Sequence, residues 1–149
     1  MFRTFVFAGA LGVALAAGAA SAADPDKAIE YRQKIFETLG ANLGAVVMNL
    51  KGEVEFPEAV AAHAQIVADT APLMLPAMEQ NTAGQGSRDT EALDKIWDEW
   101  DDFAEKSQAF ETAAMELGEV AGGGDMKAVG AQVQELAETC KSCHDAYRD

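Results

Sequence analysis

The chain has 149 residues, of which 25 are acidic and 11 are basic, so its formal net charge at pH 7 is −14. A surface with this charge repels polyanions, which argues against nucleic acid and anionic membranes as partners and leaves room for a basic docking protein. The length suits one domain with a single core.

The first residues have the pattern of an export signal. Met1 to Arg3 supply a basic start, Phe5 to Ala20 an apolar run, and Ala20-Ser21-Ala22 a small-residue cleavage site. We therefore predict a signal peptide over residues 1–22, cleaved within one residue of that end, and a mature domain over residues 23–149. The apolar run is shorter than the about 20 residues that a spanning helix needs, and no later run reaches that length, so we expect no membrane insertion.

The mature sequence predicts helices throughout, since Ala, Glu, Leu, Gln and Lys are abundant and no sustained period-two run occurs. The first helix should begin at Asp24-Pro25, a capping acid followed by a proline suited to the first turn, and should end near Lys51-Gly52. The second should open at Pro57 and be kinked or ended by Pro72 and Pro76. The inner face of the first helix is predicted to consist of Ile29, Phe36, Leu39, Leu43, Val46 or Val47, and Leu50.

The second half of the chain predicts two more helices after a loop. Residues 79–89 are rich in loop-forming residues, and the third helix should follow Asp89-Thr90. Gly122-Gly123-Gly124 should end that helix, and Asp125 offers a cap for the fourth. Four amphipathic helices with short connections predict an all-α fold, an antiparallel up-down-up-down four-helix bundle.

The two cysteines lie in the stretch Cys140-Lys141-Ser142-Cys143-His144, near the end of the fourth helix. Two cysteines in an exported protein ordinarily form a disulfide, but Cys-x-x-Cys-His is the attachment signature of haem c. Each thiol adds to one haem vinyl group, and the imidazole of the next residue binds the iron. Positions i, i+3 and i+4 of a helix share one face, so all three groups can reach one object.

We therefore predict one covalently bound haem c per chain, with Cys140 and Cys143 as attachment residues and His144 as axial iron ligand. The alternatives are a disulfide, a zinc site and a thioredoxin-like redox pair. A redox pair of that kind usually lies near a strand, opens a helix and does not require the following histidine.

Three stretches of the chain resemble the cytochromes c′, the class II cytochromes of the four-helix kind. They are Tyr31-Arg32-Gln33 with Phe36, Gly40 and Gly44; Ile96-Trp97 after Thr90-Glu91-Ala92; and the final run from Cys140 to Arg148. The resemblance covers the whole mature chain. It implies a periplasmic protein with a high-spin, five-coordinate haem that binds nitric oxide or carbon monoxide, and a symmetric homodimer formed through the first two helices.

The resemblance also implies a role for Phe36, which stands where low-spin relatives have a methionine that binds the iron as sixth ligand. Phenylalanine cannot ligate iron, so Phe36 would cover an open site. From its spacing alone, Phe36 would be an ordinary core residue. The other possible sixth ligands are one histidine and five methionines, and in helices such residues more often fill the core than bind iron. They are His63, Met48, Met74, Met78, Met115 and Met126.

Further residues are implied at the periphery of the haem. Arg32 and Gln33 correspond to positions around the haem propionates, Thr90 and Glu91 are candidates for the same edge, and Arg148 lies one turn beyond the axial histidine. The simpler interpretation of Arg32 is a surface salt bridge, and that of Arg148 is a cation that complements the helix dipole.

Two functions follow from these assignments. In the first, a high-spin, five-coordinate haem binds small gases, transfers electrons, or does both. In the alternative, a low-spin haem with a sixth protein ligand transfers electrons. We expect no enzymatic turnover, since no acid, base and nucleophile lie near the motif. The sequence does not indicate the redox partner.

Three apolar residues are predicted to face outward and to suit a dimer interface: Ile35, Val54 and Phe56. Gly40 and Gly44 are expected to allow close approach of haem or of another helix.

Overall fold

The computed structural model describes residues 22–149, so the predicted signal peptide lies outside the described residues except for Ala22. Four long helices form the antiparallel bundle that the sequence predicts, and a short helix continues the second of them. None of the helices in this part of the chain is long and apolar enough to cross a membrane. The helices are α1 (Pro25–Leu50), α2 (Pro57–Thr70), α3 (Met74–Met78), α4 (Trp100–Gly122) and α5 (Met126–Tyr147).

Both predicted ends of α1 are confirmed. The Asp24 carboxylate accepts hydrogen bonds from the backbone N–H groups of Asp26 at 3.0 Å and Lys27 at 3.3 Å, which caps the helix. Gly52 follows the last turn with a φ of 68°, a left-handed conformation that glycine adopts without strain.

The prediction that Ile35 faces outward is wrong, because this side chain is only 8% exposed. Ile35 lies one turn before Leu39 on the inner face of α1, and an inner face of this kind is wide enough to include it beside the partly buried Phe36. Val54 is half-buried, and only Phe56 of the three predicted outward residues is strongly exposed, at 58%.

Pro57 and Pro72 act where predicted, whereas Pro76 lies within α3, which continues past it to Met78. Pro57 opens α2, and a short 3₁₀ turn, Ala71–Leu73, separates α2 from α3 at the position of Pro72. Each proline lacks the backbone N–H that would continue the helical hydrogen bonds.

The predicted start of the third helix is wrong by about ten residues. The chain is extended around Ala92, which pairs with Arg148 in an antiparallel bridge, and the Leu93 N–H donates to the Tyr147 carbonyl at 3.0 Å. A 3₁₀ turn, Asp94–Ile96, follows before α4 begins at Trp100. The backbone after Thr90 is thus engaged by the end of the chain and not by a helix.

The glycines and the cap between α4 and α5 are confirmed. Gly124 has a φ of 74°, and the Asp125 carboxylate accepts from the N–H groups of Lys127 at 2.9 Å and Ala128 at 3.2 Å. The inner face of α5 includes Val129 and Leu136, which are fully buried. Among neighbouring long helices, α1 and α5 make the sparsest contact, so the bundle has an open seam between them.

Candidate functional site

A cavity of about 730 Å³ lies between α1 and α5, with α3, α4 and the loop before α4 completing its wall. Its volume is in the range of about 300–1,000 Å³ that is usual for ligand and cofactor sites. All nine predicted site residues line it: Arg32, Gln33, Phe36, Thr90, Glu91, Cys140, Cys143, His144 and Arg148. The fold therefore brings together residues that are more than a hundred positions apart in the chain.

The predicted attachment residues lie on one wall of the cavity, on the last turns of α5. The Cys140 and Cys143 side chains are partly buried, no disulfide joins them, and burial raises the pKa of both thiols. His144 lies at the exposed rim, where desolvation and then the charge of Arg148 lower its pKa. The imidazole is therefore neutral at pH 7, which is the form that binds a metal.

The α1 wall of the cavity is largely apolar. Phe36 lies there partly buried and packs against both hydrophobic clusters of the core. Leu39 and Leu43 continue this wall, and Val67 and Phe110 reach it from α2 and α4. A planar apolar group could pack against such a surface without leaving polar atoms unpaired.

Arg32 supplies a buried positive charge at the polar end of the cavity. Its side chain is 2% exposed, donates to the Thr82 hydroxyl at 2.7 Å and the Thr90 hydroxyl at 3.3 Å, and lies 5.4 Å from the ring centre of Trp97. Desolvation lowers its pKa, and the attraction of Asp94 opposes this.

The surface salt bridge considered for Arg32 is therefore absent, and no carboxylate in residues 22–149 lies within ion-pair distance of it. A buried charge is costly unless it is paired. The carboxylates of a haem would provide that pairing, so the donor set at this end of the cavity fits the predicted cofactor.

The remaining polar residues fasten the loop before α4 to the rest of the bundle. Gln33 donates to the Asp89 carbonyl at 2.9 Å and accepts from Arg88 at 2.6 Å. Arg148 donates from Nε to the Glu91 carboxylate at 2.6 Å, in an exposed ion pair. Since Arg148 lies one turn after His144, this pair holds a cation at the rim beside the imidazole.

Several residues of the site were missed by sequence reasoning. Thr82 is a single threonine in a loop and gives no local signal. Tyr147 was included only in the final run that resembles the family, but it lines the cavity, and its hydroxyl lies 2.5 Å from the Asp102 carboxylate and 3.1 Å from that of Glu99. These carboxylates are more than 40 positions away in the chain, so no local pattern could reveal them.

Of the candidate sixth ligands, only Met74 and Met78 line the cavity. His63 lies elsewhere, with its Nδ1 2.9 Å from the Asn42 side-chain oxygen. Met48 and Met115 are exposed, at 42% and 52%. Met126 packs against the core outside the cavity.

A sequence model of the family described as Cytochrome C′ matches residues 27–148, which is most of the chain. The chain belongs to the cytochrome c′ family. Membership in this family implies a haem c cofactor, in agreement with the fit of the cavity. The cytochrome c′ of Rhodospirillum rubrum is 34% identical over 129 residues, which cover 87% of this chain and 86% of that protein.

Solved structures of cytochromes c′ have the same fold. One, described as having an unusual ligand-controlled dimer dissociation, is 30% identical with a TM-score of 0.78 and covers 86% of this chain and 98% of that one. A variant of the cytochrome c′ from Alcaligenes xylosoxidans, solved as a nitric oxide complex, is 27% identical with a TM-score of 0.72. That alignment covers 85% of this chain and 98% of the relative.

Proposed function

We propose that this member of the cytochrome c′ family is exported to the periplasm, carries one haem c attached through Cys140 and Cys143, and binds small apolar gases. When bound, the haem supplies an iron centre that takes a diatomic gas and exchanges one electron. The observation that carries the proposal is the cavity itself: two thiols and an imidazole lie on the α5 wall, and Phe36, which has no ligating atom, lies on the α1 wall.

The residues on each wall of the cavity have a distinct role. The neutral imidazole of His144 provides the one protein ligand, and the buried charge of Arg32 balances the acidic edge of the cofactor. The apolar surface around Phe36 offers no hydrogen bond to oxygen or to a polar anion, so such ligands gain little there. Nitric oxide and carbon monoxide need no such bond and are favoured. The nitric oxide complex of the Alcaligenes relative supports this choice of ligand.

The second candidate function is low-spin electron transfer with a sixth protein ligand. Met74 and Met78 favour it, since both line the cavity and are only 4% and 1% exposed. A methionine sulfur that binds the iron raises the reduction potential. The same protein could also transfer electrons without such a ligand, and its partner would then be a basic protein attracted to the acidic surface.

We also propose that two copies associate through α1 and α2. Large apolar side chains are exposed on these helices and just beside them, among them Tyr31 at 56% and Phe56 at 58%. One solved relative is described in terms of its dimer, which supports the proposal. Analytical ultracentrifugation of the haem-loaded protein tests it, and a monomer at all accessible concentrations would contradict it.

The gas-binding proposal is tested by adding nitric oxide to the purified, reduced protein and recording its optical spectrum. We expect the spectrum to change at stoichiometric gas, and to do so equally in the variants Met74→Leu and Met78→Leu. A reduced spectrum that is indifferent to nitric oxide would reject gas binding. If, in addition, one of the two leucine variants alone acquires a gas response, the replaced methionine is the sixth ligand.

A further inference from the structure

Both hydroxyl groups that hold the Arg32 guanidinium belong to the loop before α4, residues 79–93. The guanidinium donates to Thr82 at 2.7 Å and to Thr90 at 3.3 Å. Residues 79–93 contain no helix, so the loop lacks the repeated backbone hydrogen bonds that fix the position of a helix. The position of the buried charge therefore depends on the contacts that hold this loop.

The Asp26 carboxylate, in the first turn of α1, accepts three hydrogen bonds from this loop. Its Oδ1 atom accepts from the N–H groups of Ser87 at 2.6 Å and Arg88 at 2.9 Å, and its Oδ2 atom accepts from the Ser87 hydroxyl at 2.8 Å. These bonds, with that of the Arg88 N–H first, lower the pKa of the Asp26 carboxyl, so the group is ionised at pH 7. Ser87 and Arg88 lie between Thr82 and Thr90 in the chain, so the carboxylate fixes the part of the loop that joins the two partners of the guanidinium.

Gly86 allows the loop to approach this carboxylate closely. Its φ of 78° lies in the left-handed region that favours glycine. A Cβ atom added at this position would lie 2.3 Å from the Asp26 Oδ1 atom, so the loop or the carboxylate would have to move. Gly84 in the same loop also has a positive φ, of 62°, but a Cβ atom added there would meet no atom within 4 Å. The two glycines thus share the backbone conformation, and only Gly86 has the contact.

We propose that Asp26 is a positioning residue for the haem: it holds the loop before α4, and the loop holds the Arg32 guanidinium at the polar end of the cavity. This proposal rests on the haem binding proposed above and adds what fixes the charge beside the cofactor. A cation near the haem favours ferrous over ferric iron, because the ferrous centre has one positive charge less, and so raises the reduction potential. When the loop is released, the guanidinium can turn toward water, where its charge is screened and the potential falls.

Redox titration of the haem-loaded protein compares variants that separate the charge of Asp26 from its contacts. Asp26→Ala removes both, whereas Asp26→Asn removes the charge and keeps an oxygen that can accept from the two backbone N–H groups. We expect Asp26→Ala to shift the ferric–ferrous equilibrium about tenfold toward the ferric form, which is a fall of about 59 mV in the reduction potential. Loss of a negative charge alone acts in the opposite direction, so Asp26→Asn should keep the parent potential or raise it slightly.

Gly86→Ala provides a test that changes no charge. The added methyl group displaces the loop from Asp26, so this variant should also lower the potential. Gly84→Ala is the matched control, because it places the same side chain at a positive φ in the same loop without the contact, and it should keep the parent potential. Hydrogen–deuterium exchange of the Ser87 and Arg88 amides should become faster in Asp26→Ala and Gly86→Ala, which shows that the loop has been released.

A double-variant comparison tests whether the effect passes through the guanidinium. In a protein that already carries Arg32→Gln, no charge remains for the loop to hold, so adding Asp26→Ala should no longer lower the potential.

Three results would overturn the proposal and leave the haem site intact. Faster amide exchange in Asp26→Ala with an unchanged potential would show that the carboxylate only stabilises the fold. A potential that rises equally in Asp26→Ala and Asp26→Asn would show that Asp26 acts by its charge alone. A full fall of the potential when Asp26→Ala is added to Arg32→Gln would show that the loop does not act through Arg32. A parent protein without any haem redox transition would refute the proposed function together with this proposal, which distinguishes it from the other three results.

Discussion

Thr82→Val tests whether the buried guanidinium of Arg32 depends on a hydroxyl that the sequence did not reveal. The two side chains are 50 positions apart, their hydrogen bond measures 2.7 Å, and their residues are 2% and 4% exposed. Valine has nearly the same shape as threonine but accepts no hydrogen bond, so the substitution leaves one N–H of the guanidinium without its partner in a buried place.

The size of the effect follows from this geometry. Hydrogen bonds to charged groups contribute about 1.5–3 kcal/mol, so we expect Thr82→Val to lower the free energy of unfolding by about 2 kcal/mol. For a domain of this length, that corresponds to a fall of about 8 °C in the unfolding temperature. The Thr90 hydroxyl is 3.3 Å from Arg32 in an exposed residue, so Thr90→Val should cost less.

Urea denaturation of the haem-loaded protein, followed by far-ultraviolet circular dichroism, measures these changes. Thr112→Val is the control, since Thr112 is exposed on α4 and its hydroxyl donates only to the Gln108 carbonyl of its own helix. If Thr82→Val and Thr112→Val have the same stability, the hydrogen bond does not hold Arg32, and the account of the polar end of the cavity is wrong.

Three further predictions concern Phe36 on the α1 wall, the end of α5 and the core. Phe36→Met should give a low-spin, six-coordinate protein with much weaker gas binding, whereas Phe36→Leu should keep the parent spectrum; an unchanged spectrum in the methionine variant would mean that Phe36 does not lie over the iron. Desolvation, and then the Asp102 and Glu99 carboxylates, raise the pKa of Tyr147, so the folded protein keeps a proton that the unfolded chain loses near its ordinary pKa of about 10. Stability should therefore fall as the pH rises above about 10, and Tyr147→Phe but not Tyr31→Phe should reduce that fall in urea titrations; equal slopes in both variants would refute this linkage. Leu136→Ala, at a fully buried site, should cost about 2–5 kcal/mol by denaturant unfolding, far more than Leu73→Ala at a site that is 44% exposed, and similar costs would contradict the assigned core.

The ends of most helices could be predicted because their signals are local. Asp24 and Asp125 cap the helices that follow them, and each does so with backbone N–H groups two and three positions away. The start of α4 could not be predicted in this way. Its delay depends on the pairing of Ala92 with Arg148, which are distant in sequence, and no local pattern encodes that contact.

The residues of the site likewise include some with a local sequence signal and others that are brought together only by contacts between distant parts of the chain. The predicted attachment motif is contiguous, so its three residues could be proposed from their spacing alone, and the family resemblance supplied the positions on α1. Met74 and Met78 line the cavity, and Thr82 bonds to Arg32, only because the chain folds back over itself, and methionines at helical spacing ordinarily fill a core. Ile35 shows the limit of periodicity, since neighbouring positions on a wide inner face can both be buried.

The optical spectrum of the purified, oxidised protein, recorded before any gas is added, shows whether His144 alone holds the iron and leaves an open position beside Phe36. We expect a high-spin spectrum, from a haem that stays attached to the polypeptide under denaturing conditions. A low-spin spectrum would contradict this expectation and indicate a sixth protein ligand, for which Met74 and Met78 are the candidates inside the cavity.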